Sequence, residues 1–207
     1  TAQDLAALIN PNRALPGPPS PTETVHKETV YLTVVDSDGM MVSFIYSIYD
    51  SFGSGLAAPG TGILFHNRGS GFTLEPGHPN EAGPGKRPMH TIIPGLLSLP
   101  DGSEMSFGVM GGSYQAAGHA RFLSNMIDYG MDPQTAMDHP RMFFEDGETR
   151  LETGYSPEIL AALSDLGHQN VVHVASPIGG SQAILRDTAG VLTGASDPRK
   201  DGCALGY

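Results

Sequence analysis

The chain has 207 residues, 39% of them hydrophobic and 16% charged, so it can bury a core as one domain or slightly more and is not disordered. A formal net charge of −11 argues against nucleic acid or an anionic membrane as partner. No apolar run reaches the roughly 18 residues needed to span a bilayer. No secretory leader is visible, although a processed or truncated chain would have lost one. The lone Cys203 excludes an internal disulfide and a multi-cysteine metal site; near the C-terminus it reads as packed or incidental rather than reactive.

Apolar residues at helical spacing predict a short helix over 2–9, followed by a proline-rich tether over 11–24. Strands are expected at 30–36 and 41–48, the first of them a run of β-branched and aromatic residues ended by the Asp36-Ser37-Asp38-Gly39 turn. Residues 50–62 read as loop, 63–65 as a short strand, and 66–90 as a long Gly/Pro-rich loop of the kind that is usually functional or disordered. Strands follow at 91–99 and 104–109, with a turn at Pro100-Asp101-Gly102 between them. Helices are expected over 114–129, 133–138 and 156–167, and strands near 171–174, 181–186 and 190–194. Strands, then helices, then strands predict an α+β layered domain with a mostly antiparallel sheet.

Thr29 opens the strand expected at 30–36. A cut before it would give its hydroxyl a free amine on the same carbon, a known way of activating a weak nucleophile. Uncut, it is a β-former in a strand. Thr1 is a rival nucleophile, but it precedes a helical pattern and the tether instead of a rigid sheet edge.

The run Thr29-Val30-Tyr31-Leu32-Thr33-Val34-Val35-Asp36, with Gly39 and Ser43 after it, resembles the start of the small subunit of the γ-glutamyltransferase family, N-terminal-nucleophile hydrolases that cut themselves to expose a threonine. Further blocks match in the same order: Phe52-Gly53-Ser54-Gly55, Gly62-Ile63-Leu64, Pro84-Gly85-Lys86-Arg87-Pro88, Gly111-Gly112-Ser113, Asp128-Tyr129-Gly130, His139-Pro140-Arg141, Ala195-Ser196-Asp197-Pro198-Arg199 and Gly206-Tyr207. The resemblance implies a four-layer αββα sandwich completed by a large subunit from the same precursor. Residues 1–28 would then be the tail of that subunit and 29–207 the small-subunit catalytic region. It implies self-cleavage before Thr29, an acyl-enzyme resolved by water or an amine, and Gly111 and Gly112 as the oxyanion-hole pair. The pair also reads as a tight turn before a helix. Ser47 aligns with a hydroxyl that steadies the nucleophile; its plainer role is a polar residue in a half-buried strand.

Three departures bear on substrate. The family pattern places asparagine where Tyr49 stands and an acidic residue near Gly71, groups that hold the α-amino group of a γ-glutamyl substrate. Here the loop reads His66-Asn67-Arg68-Gly69-Ser70-Gly71, with an arginine and no carboxylate. The family's Ser-Ser pair is replaced by His90-Thr91. Arginine suits bidentate carboxylate recognition, so the expected substrate is a small carboxylate-bearing amide without the γ-glutamyl amine. The family includes an oxamate amidohydrolase and acylases of glutaryl-like side chains, and the chain resembles that branch. Arg68 also reads as a surface or loop-bracing residue.

A γ-glutamyltransferase acting on glutathione and an unprocessed binding or assembly subunit are the alternative functions. His66, His78 and His90 share a loop but lack ligand spacing, and no metal or other cofactor is expected. Lys86-Arg87 reads as a structural ion pair, Asp197 and Arg199 as scaffold, and Asp36 and Asp38 as turn chemistry. The small-amide reading suits the cytoplasm, although the family is often exported. A dimer of heterodimers is one assembly the resemblance allows.

Overall fold

The structure, a computed structural model, describes residues 3, 6–14, 27–145 and 147–207. It forms two compact units, one of residues 25–139 and 179–207, the other of 1–24 and 140–178.

The first unit holds two sheets. Strand β1 (Lys27–Val35) pairs antiparallel with β2 (Met41–Asp50), joined at a turn where Asp36 Oδ1 accepts from the N–H groups of Asp38 and Met40. The second sheet runs β3 (Gly95–Ser98), β4 (Glu104–Met110), β8 (Gly180–Arg186), β9 (Leu192–Ser196), with every neighbour antiparallel. The sheets stack through a hydroxyl cluster. Tyr31 lies flat on Gly108 of β4, where a Cβ would stand 2.4 Å from its ring carbons. Its hydroxyl reaches Ser43 (2.7 Å) and Ser106 (3.3 Å), and Thr33 Oγ1 donates to Ser106 Oγ at 2.6 Å. Burial pushes the Tyr31 phenol above its ordinary 10.0, partly offset by its bonds to Ser106, Ser43 and Thr33.

Helices α1 (Tyr114–Ile127) and α2 (Pro133–Asp138) lie on the other side of the four-stranded sheet. Met105, Phe107, Ala183 and Ala195 from the sheet meet Phe122, Ala136 and Met137 from the helices in one buried cluster. Strand β4 is therefore covered on both faces and buried from Met105 to Met110, which explains why its sequence does not alternate. Asp132 caps α2 by accepting from Gln134 N–H and Thr135 N–H, ahead of Pro133 at the first helical position.

The second unit is built on a β5 (Met142–Glu145), β6 (Glu148–Glu152) hairpin. Helix α3 (Pro157–Asp165) then crosses to β7 (Val171–Val174), which pairs parallel with β6. Buried Glu152 accepts from Arg141 N–H and Ile178 N–H, tying the ends of this unit together.

Several expectations need correction. Strand β1 does not open at Thr29: it runs from Lys27, through the Glu28–Thr29 bond. Residues 63–65 make only an isolated bridge, Ala57 to Leu64, with Ile63 and Phe65 exposed. Only Gly95–Ser98 of 91–99 is strand, because Pro94 supplies no N–H to a ladder. Strands β5 and β6 are absent from the sequence reading; their charged residues hide the period-two pattern. The β6–β7 pair is parallel. Most of the tether expected over 11–24 lies outside the described residues, as do Thr1 and residues 2, 4 and 5 of the first predicted helix.

His119 of α1 packs against Phe107 at a tilt, with ring centroids 4.8 Å apart, and its Nε2 is buried with no hydrogen-bond partner among the described residues. Desolvation holds its imidazole below the usual 6.5, against a backbone hydrogen bond at Ile93. The unfolded chain therefore binds a proton that the folded one resists, and stability falls as pH drops below about 6.5. Urea unfolding at pH 7 and pH 5 is expected to show this loss in the native sequence and a smaller one in His119→Gln, which cannot take the proton; equal losses would mean that His119 titrates alike in both states.

Candidate active site

Thr29 and Ser47 face each other across the β1–β2 ladder, and Thr29 Oγ1 donates to Ser47 Oγ at 3.3 Å. One residue further the register slips: Glu28 pairs with Tyr49, leaving Ile48 as the extra residue of a β-bulge. The bulge lies beside the Glu28–Thr29 peptide bond. It turns Tyr49 N–H onto Ser47 Oγ (3.1 Å) and leaves the Ile48 carbonyl to accept from Asn67 N–H (3.2 Å).

Tyr49 is buried, 3% exposed, with φ at +78°. A bulky residue in that region is an outlier costing roughly 1–3 kcal/mol, whereas the asparagine of the family pattern suits it. Arg68 opens a 3₁₀ turn (Arg68–Gly71) and is only 3% exposed, so it is not a surface arginine. Its guanidinium sits 4.9 Å from the Tyr49 ring centroid, and Nη2 donates to Ser47 Oγ at 2.9 Å. Nη1 is buried with no hydrogen-bond partner among the described residues. Burial lowers the Arg68 pKa from its usual value, against the charge of Tyr49, which raises it, and the group remains a cation at neutral pH. Gly71 faces the Tyr49 hydroxyl: a Cβ there would stand 3.7 Å from it. The tyrosine thus reaches the place where an acidic side chain at position 71 would start.

Gly111 (φ +130°) and Gly112 (φ +58°) form the turn between β4 and α1. A Cβ on Gly111 would lie 2.8 Å from Gly179 Cα, so only glycine fits. Their carbonyls accept from Tyr114 N–H and Gln115 N–H, while their own N–H groups make no backbone bond among the described residues. Thr91 is anchored through its carbonyl, which accepts from the Gln115 amide at 2.7 Å in the orientation that satisfies both groups. His90 is exposed, its Nδ1 2.7 Å from the Pro88 carbonyl. The Thr91 carbonyl thus meets the start of the helix that follows the Gly111–Gly112 turn, and Pro88 and Met89 lie within 4 Å of where a Cβ on Gly71 would stand. His66 Nδ1 and His78 Nδ1 accept from nearby backbone N–H groups. Lys86 Nζ donates to the Pro79 carbonyl instead of to a carboxylate. Asp197, 1% exposed, accepts from Ser181 and Arg199 and is scaffold. Sequence reasoning missed Asn67 and Asp50, which hold the Arg68 turn; the polar Asp50 at a strand end and the Asn before Arg68 were the only signals.

Thr29 thus stands beside a bulge, with the Ser47 hydroxyl against it and the buried Arg68 cation behind that hydroxyl. A family profile described as Gamma-glutamyltranspeptidase matches residues 1–207, and the chain belongs to that family. It is 39% identical over 188 residues to the oxamate amidohydrolase proenzyme of Klebsiella pneumoniae, a match covering 87% of this chain and 36% of that protein. Its structure resembles the cephalosporin acylase of Bacillus halodurans at a TM-score of 0.83 and 43% identity, covering all of this chain (100%) and 38% of that one. The γ-glutamyltranspeptidase T380A mutant of Helicobacter pylori superposes at a TM-score of 0.72 and 30% identity, over 82% of this chain and 99% of the matched chain. The fold is thus the α+β fold of N-terminal-nucleophile hydrolases, with one helical and two sheet layers in the first unit. The chain spans little more than a third, 36%, of the oxamate amidohydrolase proenzyme.

Ser47 Oγ accepts from Thr29, Tyr49 N–H and Arg68. Ser47→Ala leaves a buried amide and a guanidinium N–H without that acceptor, and is expected to lower stability by about 1–3 kcal/mol in urea unfolding; a loss under about 0.5 kcal/mol would mean that water replaces the hydroxyl.

Proposed function

We propose that the protein carrying this chain is a self-processing threonine amidohydrolase that cleaves the amide of a small carboxylate-bearing substrate, oxamate-like or glutaryl-like. The observation that carries the substrate class is Arg68 Nη1, a buried guanidinium nitrogen without a partner among the described residues, two hydrogen bonds from the Thr29 hydroxyl through Ser47. A buried donor of that charge calls for an anion. A carboxylate held there and a carbonyl attacked by Thr29 would belong to one small molecule. The names of the similar oxamate amidohydrolase and cephalosporin acylase support amide cleavage, and the word proenzyme in the former supports processing.

In this reading Thr29 Oγ attacks the Glu28 carbonyl carbon, the bond to Thr29 N breaks, and an ester forms. Water hydrolyses the ester, leaving a Glu28 carboxylate and a free Thr29 amine. That amine, with an ordinary pKa of about 8, then takes the hydroxyl proton as Oγ attacks the substrate amide. The Gly111 and Gly112 N–H groups receive the oxyanion, each such donor being worth about 3–4 kcal/mol of barrier. The amine leaves with a proton, and water releases the acid from the acyl-enzyme. Ser47 orients Thr29 Oγ. Arg68 holds the substrate carboxylate and disfavours an ammonium, and the Tyr49 ring carries its guanidinium.

The partner in this reading is a large subunit from the same precursor, with 1–28 as its tail and 29–207 as the small subunit. The outer face of β1–β2 supports it: Val30, Leu32, Val34, Val42, Phe44 and Tyr46 are 42–59% exposed there, a patch of the kind that marks an interface.

Intact-mass measurement with N-terminal sequencing of the full-length protein is expected to find a new N-terminus at Thr29, absent in Thr29→Ala; one uncut chain would instead favour a non-catalytic relative. Processed enzyme is expected to prefer oxamate to γ-glutamyl-p-nitroanilide, and Arg68→Gln to lower kcat/KM for the carboxylate amide about ten- to hundredfold. A clear preference for the γ-glutamyl compound would reverse the substrate reading in favour of a glutathione hydrolase.

A further inference from the structure

Arg68 stands in a long loop, on a side chain with many rotamers, yet its position relative to Thr29 must be fixed to within a fraction of an ångström for selectivity. The bonds that carry its turn to β2 come from the residue before it. Asn67 N–H donates to the Ile48 carbonyl at 3.2 Å. Asn67 Oδ1 accepts from Asp50 N–H at 3.1 Å, and Asn67 Nδ2 donates to Asp50 Oδ2 at 2.5 Å. Asn67 is also the N-cap of the turn, but its side chain makes no capping bond. An asparagine there ordinarily satisfies the first helical N–H groups; this one is turned onto the strand, and His66 Nδ1 accepts from Arg68 N–H. Two consecutive loop residues thereby hold four consecutive strand residues: Arg68 takes Ser47 and Tyr49, and Asn67 takes Ile48 and Asp50. The bulge makes this possible, since it is Ile48, the extra residue, whose carbonyl Asn67 uses.

We infer that Asn67, clamped to Asp50, is a positioning residue that sets substrate selectivity by fixing the Arg68 guanidinium over Tyr49 and against Ser47. The inference rests on the reading of Arg68 as the carboxylate-binding group. Asn67 touches neither Thr29 nor a substrate in this scheme; it acts through Arg68 alone. Asp50 Oδ1 has no partner among the described residues, so only Oδ2 does the clamping. The pair can therefore be exchanged. In Asn67→Asp combined with Asp50→Asn, the carboxylate introduced at position 67 still accepts from the N–H of position 50, and the amide introduced at position 50 donates back across the same gap.

The test uses the full-length, processed enzyme and two amides, one bearing a carboxylate and one lacking it: oxamate against pyruvamide, or glutaryl- against butyryl-p-nitroanilide. Asn67→Asp puts a carboxylate where the amide donor stood. It is expected to raise KM for the charged amide about ten- to hundredfold, with kcat and the KM of the uncharged amide within about twofold. The exchanged pair is expected to restore the charged-amide KM. In an Arg68→Gln background Asn67→Asp is expected to add nothing, as the two act on one interaction. If Asn67→Asp does not accumulate, Asn67→Ala is read in the same way. Equal effects on both amides, or no rescue by the exchange while Arg68→Gln still discriminates between them, would overturn the clamp and leave the Arg68 reading standing. Failure of Arg68→Gln to discriminate, or hydrolysis of neither charged amide, would bring down both.

Discussion

The junction at Ser47 Oγ is where three separate parts of the chain are forced to agree. A hydroxyl oxygen has two lone pairs, and this one faces a donor from β1, a backbone N–H from the bulge of β2, and a guanidinium from a loop twenty-one residues further along. Each donor fixes a different variable: Thr29 sets the ladder register, Tyr49 N–H sets the bulge, and Arg68 sets the height of the loop over the strand. Because one of the three is a cation, the hydroxyl sits in a positive field, which favours any negative charge developing on Thr29 Oγ. Displacing any one of them changes the geometry at the threonine.

The residues that depart from the family pattern behave as a unit and not as separate substitutions. Tyr49 fills space in front of Gly71, its ring carries Arg68, and its backbone takes a conformation that asparagine would adopt more easily. An acidic side chain at 71 would start within van der Waals reach of the Tyr49 hydroxyl, and a neutral residue at 68 would leave the ring face and Ser47 without their cation. Changing one member back would leave the other two mismatched. The cost of a strained tyrosine is understandable when it supports a buried charge.

Much of the site was legible in the sequence, and the reasons for what was not are local. Thr29, Gly111 and Gly112 sit in blocks that match the family in order, Ser47 aligns with a family hydroxyl, and the swap to Arg68 was visible as a change of charge. What could not be read was that Arg68 is buried, since its two partners lie 19 and 21 positions upstream and depend on how the loop returns. The bulge was invisible for a related reason. A run such as Ser47-Ile48-Tyr49-Asp50 alternates normally, and the slip arises only against the partner strand. Strands β5 and β6 were missed because Glu145, Glu148 and Arg150 pair with one another along a polar edge, while Ile63-Leu64-Phe65 looked like a strand because apolar residues that are exposed in this chain read as core.

The two faces of the β1–β2 ribbon reverse the usual rule, and this ties the chemistry to what surrounds it. The β-branched and aromatic run of β1 read as a largely buried strand, yet Val30, Leu32 and Val34 are exposed, since such a run does not say which face turns inward. The inward face here carries Thr29, Tyr31, Thr33, Ser43 and Ser47, and the hydroxyls satisfy one another and Ser106, so burying them costs little. The outward face carries Val30, Leu32, Val34, Val42, Phe44 and Tyr46, all well exposed. A one-residue slip would exchange these sets, removing Thr29 from Ser47 and burying valines against Ser106. Hydrogen bonds among hydroxyls hold the register but add little net stability, and a two-stranded ribbon is marginal by itself. The apolar area that could stabilise the ribbon lies on the side away from the site. A layer covering that outer face would therefore strengthen the strand that carries Thr29 without touching Thr29, Ser47 or Tyr31 on the inner face.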